Sequence, residues 1–315
     1  MRRHLLIYDV DWWILGKNAK ILQRYHPCLD IMSAEQLDRY IGAHGSGELN
    51  DTYEVISSMC LGLAAYAIFK HVRVDSSAAV SYYYFSKDYH AFREWEDRIE
   101  PDISFLQLVL SRIGTIGAIN RKLAETIQEL VPAVPVQYIR QFVDDGLFKP
   151  NHSNRSGRQD EFVIGWAGDK GKASKNYDRL YLPVKRHYEN HPRIRFVETC
   201  GERSHETMPG FYHNIDLLFI TSANEGGGAT ALEAYACGIP VLSTNVGYVK
   251  EAAPPEAHHL ILDSDDPARF IRMIDEISTQ REMLTEIGRK CRSNIEAFWT
   301  VDHAVKSWLS VLFRI

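Results

Sequence analysis

The residues with the most chemistry to offer cluster in one stretch, IDLLFITSANEGGGATALEAYACGIPVLSTN, where Glu225 and Glu233 bracket Gly226, Gly227 and Gly228 in an E-x7-E arrangement. A carboxylate accepts hydrogen bonds from a vicinal diol, and glycines let a phosphate approach the backbone closely. The apolar run ending at Ser222 reads as a buried strand; a helix begins near Ala229 and stops at Gly238-Ile239-Pro240. Free N–H groups at that helix start, on Gly227, Gly228 and Ala229, form an anion site that the helix dipole favours. Glu225 falls in the loop before the helix and Glu233 inside it. Both can face one crevice at the carboxyl end of a parallel sheet, where open α/β folds bind ligands.

Other chemistries find less support. The five cysteines are scattered and lack C-x-x-C spacing, which argues against a disulfide framework or a zinc site and fits a reducing cytosol. No G-x-G-x-x-G follows the first strand, so a nicotinamide dinucleotide is disfavoured. Asp9-Val10-Asp11 is a D-x-D pair at a strand end, yet no metal and no other cofactor is expected. The 315 residues hold 36 Lys and Arg against 41 Asp and Glu, for a net charge of −5. Neither half has the basic excess of a phosphate-backbone binder, so no nucleic-acid partner is expected. The longest apolar run, 59–69, is far shorter than the roughly 20 residues needed to span a bilayer. The amino terminus meets Asp9 and Asp11 too soon for a signal-peptide core. A cytoplasmic location is expected, with peripheral contact on the inner face of a membrane as the alternative.

The elements that must position these residues alternate between short β-type runs and longer helical patterns, the mark of a parallel α/β sheet. In the first half, strands are expected at 4–10, 78–85, 114–120 and 134–142, with helices at 13–25 and up to Glu129. The polar segment 144–161 reads as a linker. Beyond it, strands are expected at 162–168, 194–199, 215–222, 239–245 and 258–263, and helices at 175–190, before 213, at 229–237 and over 267–294.

Together with EAYACGIPVLSTNVG, the two glutamates strongly resemble the retaining glycosyltransferases of family 4. That family's pattern is a Glu-Gly-Phe-Gly turn, Leu-Glu-Ala, an Ala-x-Gly-x-Pro-Val strand and a later Gly-Gly-x-x-Glu. Here Gly227 replaces the Phe, and the last element reads Gly247-Tyr248-Val249-Lys250-Glu251. The likeness runs over about 131–300 and is specific from 194 to 251. It implies an α/β architecture of GT-B type, two Rossmann-like domains facing across a cleft. Residues 1–148 would form the acceptor domain and 149–297 the nucleotide-sugar donor domain, with a helix over 298–315 crossing back to the first.

The resemblance also implies site roles. Glu225 would contact donor-sugar hydroxyls and Glu233 the ribose hydroxyls. Gly226, Gly227 and Gly228, with Ala229 and Thr230, would present backbone groups to sugar and diphosphate. Lys175 best matches the family's diphosphate-binding lysine, with Lys170 and Lys172 as competitors; Ala167 or Gly168 stands where the family has an arginine. Thr199 and Cys200 fall where the base is held. In the first half, Gly16 stands alone where the family has a glycine pair, and His90 matches the active-site histidine, with His44 as competitor. Trp12 or Trp13 can line the acceptor side, with helical core packing as the competing reading.

The function expected is transfer of a sugar from a UDP- or GDP-sugar to a glycan or lipid-linked acceptor, with retention of anomeric configuration, in surface polysaccharide synthesis. A sugar-nucleotide epimerase of the same fold, or a nucleotide-sugar-binding protein without catalysis, is the alternative.

Overall fold

The computed structural model describes residues 3–80, 103–151 and 161–315, which form two compact units. His90 lies outside the described residues, as does the expected strand 78–85 beyond Val80.

The first unit takes the described residues of Met1–Lys87 and Arg98–Gln141 together with Ala304–Ile315. Its elements are β1 (His4–Tyr8), α1 (Ile14–Tyr25), β2 (Leu29–Ser33), α2 (Ala34–Thr52), β3 (Val55–Ser58), α3 (Leu61–Phe69), β4 (Ser76–Ala79), α4 (Ile103–Leu110), β5 (Thr115–Ala118), α5 (Arg121–Leu130) and β6 (Val136–Tyr138). The six strands are parallel in the order β2-β1-β3-β4-β5-β6, so the chain reverses its direction of travel between β1 and β3.

Sequence patterning misses β2 and β3 because LDIMS and VISS are short and part polar. The serines of β3 and β4 are nevertheless buried for a reason. Ser57 and Ser76 donate through Oγ to the carbonyl oxygen of Leu312, at 2.7 and 2.6 Å. Leu312 lies in the last turn of the terminal helix, whose carbonyls have no intrahelical partner. The serines supply the missing donors inside the core.

The second unit takes the described residues of Phe142–His303. It runs β7 (Phe162–Ala167), α6 (Leu182–His187), β8 (Ile194–Thr199), α7 (Met208–Tyr212), β9 (Leu217–Ile220), α8 (Ala229–Ala236), β10 (Val241–Thr244), α9 (Val249–Ala252), β11 (Ile261–Leu262), α10 (Pro267–Ile277) and α11 (Arg281–Phe298). A final helix, α12 (Val301–Phe313), starts here and contributes its residues from Ala304 onward to the first unit. The five strands are parallel in the order β11-β10-β9-β7-β8. β7 leads outward to β8 on one side while β9 lies on its other side, so the loops after β7 and β9 diverge from a switch point.

Two expectations need correction. The helix expected over 175–190 is a 3₁₀ turn at Ala173–Lys175, a wide π turn at Tyr177–Tyr181, and only then α6. Pro183 has no N–H and its ring crowds the preceding turn, which opens the backbone where an α-helix would have continued. The strand expected over 258–263 shrinks to β11, because Pro254 and Pro255 start a 3₁₀ segment that runs to Leu260. The first part of the polar segment 144–161 is also packed. Phe148 is fully buried, and Asp144 Oδ1 accepts from the amides of Gly146 and Leu147 at 3.1 and 3.0 Å.

The first unit carries a buried histidine pair. His4 Nδ1 and His26 Nε2 lie 2.8 Å apart, and the His4 ring stacks on Phe313 at 5.5 Å. Burial lowers the pKa of both rings below 6.5, and the neighbouring imidazole lowers that of His26 further. Unfolded imidazoles titrate near 6.5, so their contribution to stability is present above that pH and falls away as pH drops below it. The melting temperature should therefore fall as the pH is taken from about 7.5 to about 5.5. His26→Gln should flatten that slope in a pH series of thermal melts; an unchanged slope would show that other groups set it.

Candidate functional site

The strongest polar constellation grows from the switch point of the second unit. The loop after β7 folds back through its 3₁₀ turn and is stitched to the loop after β9. Ala223 N–H donates to Ser174 O at 2.8 Å, and Thr221 Oγ1 donates to Lys175 O at 2.7 Å. Trp166 on β7 adds Nε1–H to Thr221 Oγ1 at 3.0 Å. These bonds deliver the Lys175 ammonium to Glu225, with Nζ 2.6 Å from Oε1. Ser222 Oγ donates to the same oxygen. The pair is largely shielded, with side-chain exposures of 25% and 10%.

Gly226, Gly227 and Gly228 lead from Glu225 into α8, whose first residues are Ala229 and Thr230. Gly228 is the N-terminal cap and no side chain caps the helix there, a helix start of the kind that suits an anion. The far end of α8 is fixed by Arg292, whose Nη1 donates to Ala236 O at 3.0 Å and Phe148 O at 2.9 Å.

Gly227 also explains the departure from the family's Phe. A Cβ there would stand 2.1 Å from Cε1 of Tyr248, a fully buried ring in the loop after β10. Tyr248 fills the space that a side chain at 227 would need.

Glu233, in the middle of α8, is buried. Its Oε2 accepts from Tyr212 OH at 2.6 Å, and its Oε1 lies 3.6 Å from His205 Nε2. Burial and the adjacent Glu233 carboxylate raise the Tyr212 hydroxyl pKa well above 10, so it stays a donor at any working pH. The spacing of residues singles out neither His205 nor Tyr212 as a site residue, and marks Ser222 only as the end of a strand. Each lies on a different strand-end connection or helix, and spacing along the chain carries no signal for them.

Lys170 pairs with a different carboxylate. Its ammonium, with that of Lys185 and with Tyr177 OH, surrounds Glu198 on β8, at 2.5, 2.5 and 3.1 Å. Burial pushes the Glu198 carboxyl up, but these donors outweigh it and hold its pKa down at about 2. Lys170 and Lys172 line a cavity of about 750 Å³ at the carboxyl edge of the sheet, with Asn176, Ser222, Thr244 and Asp263 among its walls. Lys175, Glu225 and Glu233 are not among its lining residues. A second D-x-D, Asp263-Ser264-Asp265, lies beside this cavity at the end of β11.

Thr199 closes β8 and is buried; Cys200 follows it and is exposed, its N–H donating to Glu202 Oε2 at 2.6 Å. Glu251 is exposed on α9. In the first unit, Gly16 sits inside α1, where a Cβ would come within 2.3 Å of Val10 O; it lets the loop after β1 fold against the helix. Trp12 and Trp13 on that loop are 71% and 43% exposed, so they are not core. Asp11 pairs with Lys20 at 2.6 Å, while burial raises the Asp9 carboxyl pKa, and the two do not form a shared ligand set. His44 is exposed on α2, 3.5 Å from Glu48. Among the described residues, no three His, Cys, Asp or Glu side chains converge, and no helix is long and apolar enough to cross a membrane.

Two parallel sheets flanked by helices define an α/β protein of GT-B type. Sucrose-phosphate synthase from Thermosynechococcus elongatus superposes with a TM-score of 0.74 at 15% identity, covering 99% of this chain and 98% of that one. Anabaena HepE in complex with UDP-glucose superposes with a TM-score of 0.71 at 13% identity, covering 99% and 100%. At these identities the likeness establishes the fold.

In the second unit, residues 172–294 match the family model for glycosyl transferases group 1. The D-inositol 3-phosphate glycosyltransferase of Salinispora tropica is 31% identical over 122 residues, 38% of this chain and 24% of that protein. The chain spans about a quarter of the length of such curated relatives.

The close packing at Gly227 is directly testable. Gly227→Ala should destabilise the protein by roughly 1–3 kcal/mol through overpacking. Adding Tyr248→Leu should recover part of that loss in a double-mutant cycle of denaturant melts; strictly additive losses would show that the two positions do not share the space.

Proposed function

We propose that this protein transfers a sugar from a nucleotide-sugar donor to a hydroxyl of a glycan or lipid-linked acceptor, with retention of anomeric configuration. The observation that carries the reading is the Lys175–Glu225 ion pair beside the start of α8, with Glu233, inside that helix, oriented by Tyr212 of α7. In this reading the ribose diol sits on Glu233 and the diphosphate on the amides of Gly228, Ala229 and Thr230. Glu225 turns its second oxygen to a donor-sugar hydroxyl.

The acceptor oxygen attacks the anomeric carbon from the face the phosphate leaves. As the carbon–oxygen bond breaks, its electron pair goes to the phosphate, and the acceptor proton passes to that phosphate oxygen. The Lys175 ammonium and the helix amides stabilise the charge that develops there, which is where fixed donors act most strongly. Glu225 is committed to Lys175 and Ser222, so it positions substrate and is not the nucleophile. The mechanism uses these protein groups and no metal. The exposed faces of Trp12 and Trp13 suit stacking on acceptor sugars. The setting proposed is surface polysaccharide or glycoconjugate synthesis, on the cytoplasmic side of the membrane.

Lys175→Ala should lower kcat/KM by roughly 100-fold or more. Glu233→Gln should raise the donor KM while leaving the unliganded melting temperature nearly unchanged. Proton NMR of the product should show the donor's anomeric configuration; an inverted product would overturn the mechanism. Full activity in both variants would overturn the site.

A further inference from the structure

Glu233 is bordered by the connection between β8 and α7, because His205 on that connection reaches within 3.6 Å of its carboxylate. With the ribose on Glu233 as proposed above, the connection that carries His205 is the neighbouring wall, and the base is placed against it in this inference. That connection opens with a turn shaped to hold one anion. Gly201 has φ +101, a left-handed conformation that favours glycine, and it brings Glu202 back over the end of β8. There Glu202 Oε2 accepts from the Cys200 amide at 2.6 Å. Its own amide, the Cys200 amide and the Thr199 hydroxyl hold the carboxyl below the usual range, with Arg203 adding attraction. The side chain is exposed, so an oriented, ionised acceptor faces solvent at this strand end.

The bases differ in what they offer such a group. Guanine presents two donors side by side, N1–H and N2–H, which match the two oxygens of a carboxylate. Adenine pairs one N–H donor with an acceptor nitrogen. Uracil presents carbonyl oxygens on either side of a single N–H, and those oxygens meet a fixed negative charge unfavourably. An acceptor-only group thus attracts one base and repels another, which is how a site discriminates by both means at once.

We propose that Glu202 is a specificity-determining residue that selects guanine, so that the donor is a GDP-sugar. This rests on the placement of the ribose at Glu233 proposed above. Isothermal titration of the full chain with GDP, UDP and ADP tests it. GDP should bind at least roughly tenfold more tightly than UDP, since a hydrogen bond to a charged group carries that much discrimination. Glu202→Gln should remove most of the GDP advantage without weakening UDP, and should leave the unliganded melting temperature within a degree or so of wild type. UDP binding as tightly as GDP, or a GDP-to-UDP ratio unchanged in Glu202→Gln, would overturn the assignment of the base while leaving the donor site standing. Failure of all three diphosphates to bind would overturn the donor reading itself, and this inference with it.

Discussion

The arrangement at the second unit's sheet edge depends on one contact, the ion pair between Lys175 and Glu225. The two residues sit on loops that leave the sheet in opposite directions after β7 and β9, so nothing local brings them together. What does so is backbone stitching, from Ala223 to Ser174 and from Thr221 to Lys175, braced by the Trp166 indole. The pair in turn fixes where the glycines can run into α8. A shielded ion pair is weak evidence of stability, because desolvation offsets most of the attraction. It is better understood as placement: a cation and a carboxylate held ready beside uncapped helix amides.

The second carboxylate follows a different logic. Glu233 lies on a helix whose interior residues, Ala231 through Ala236, are all buried, and a buried carboxylate needs donors. Tyr212 supplies one from α7, and His205 approaches the remaining oxygen. The helix can thus carry a charged group through the core only because two other connections turn toward it. Lys170 and Lys185 show the opposite outcome: both are drawn to Glu198, which commits them to holding the β7 loop against β8.

In the first unit the sheet is partly polar inside, and the serines of β3 and β4 exist to satisfy the end of the terminal helix. Patterning by hydrophobicity is blind to such strands. It was equally blind to the π turn, since Pro183 widens a helix that periodicity alone would draw straight through. By contrast β7, β8, β9, α8 and β10 were readable to within a few residues, because each is either a continuous apolar run or bounded by Gly and Pro. The Gly227 substitution was visible in the sequence, but its cause was not. Tyr248, in the loop after the next strand, had to be seen in the same space.

The sequence by itself determined the class of this protein: alternating apolar strands and helices, and two glutamates at E-x7-E spacing around a glycine turn. Those features are local, and local spacing survives without coordinates. The tertiary structure decided which of three loop lysines meets Glu225, which hydroxyl orients Glu233, and that the Cys200 amide is already taken by Glu202. Each of those choices is made by distances of a few ångströms between loops that share only a sheet edge. Hydrogen bonding at that range is settled by where strands end in space, and the order of residues along the chain does not record it.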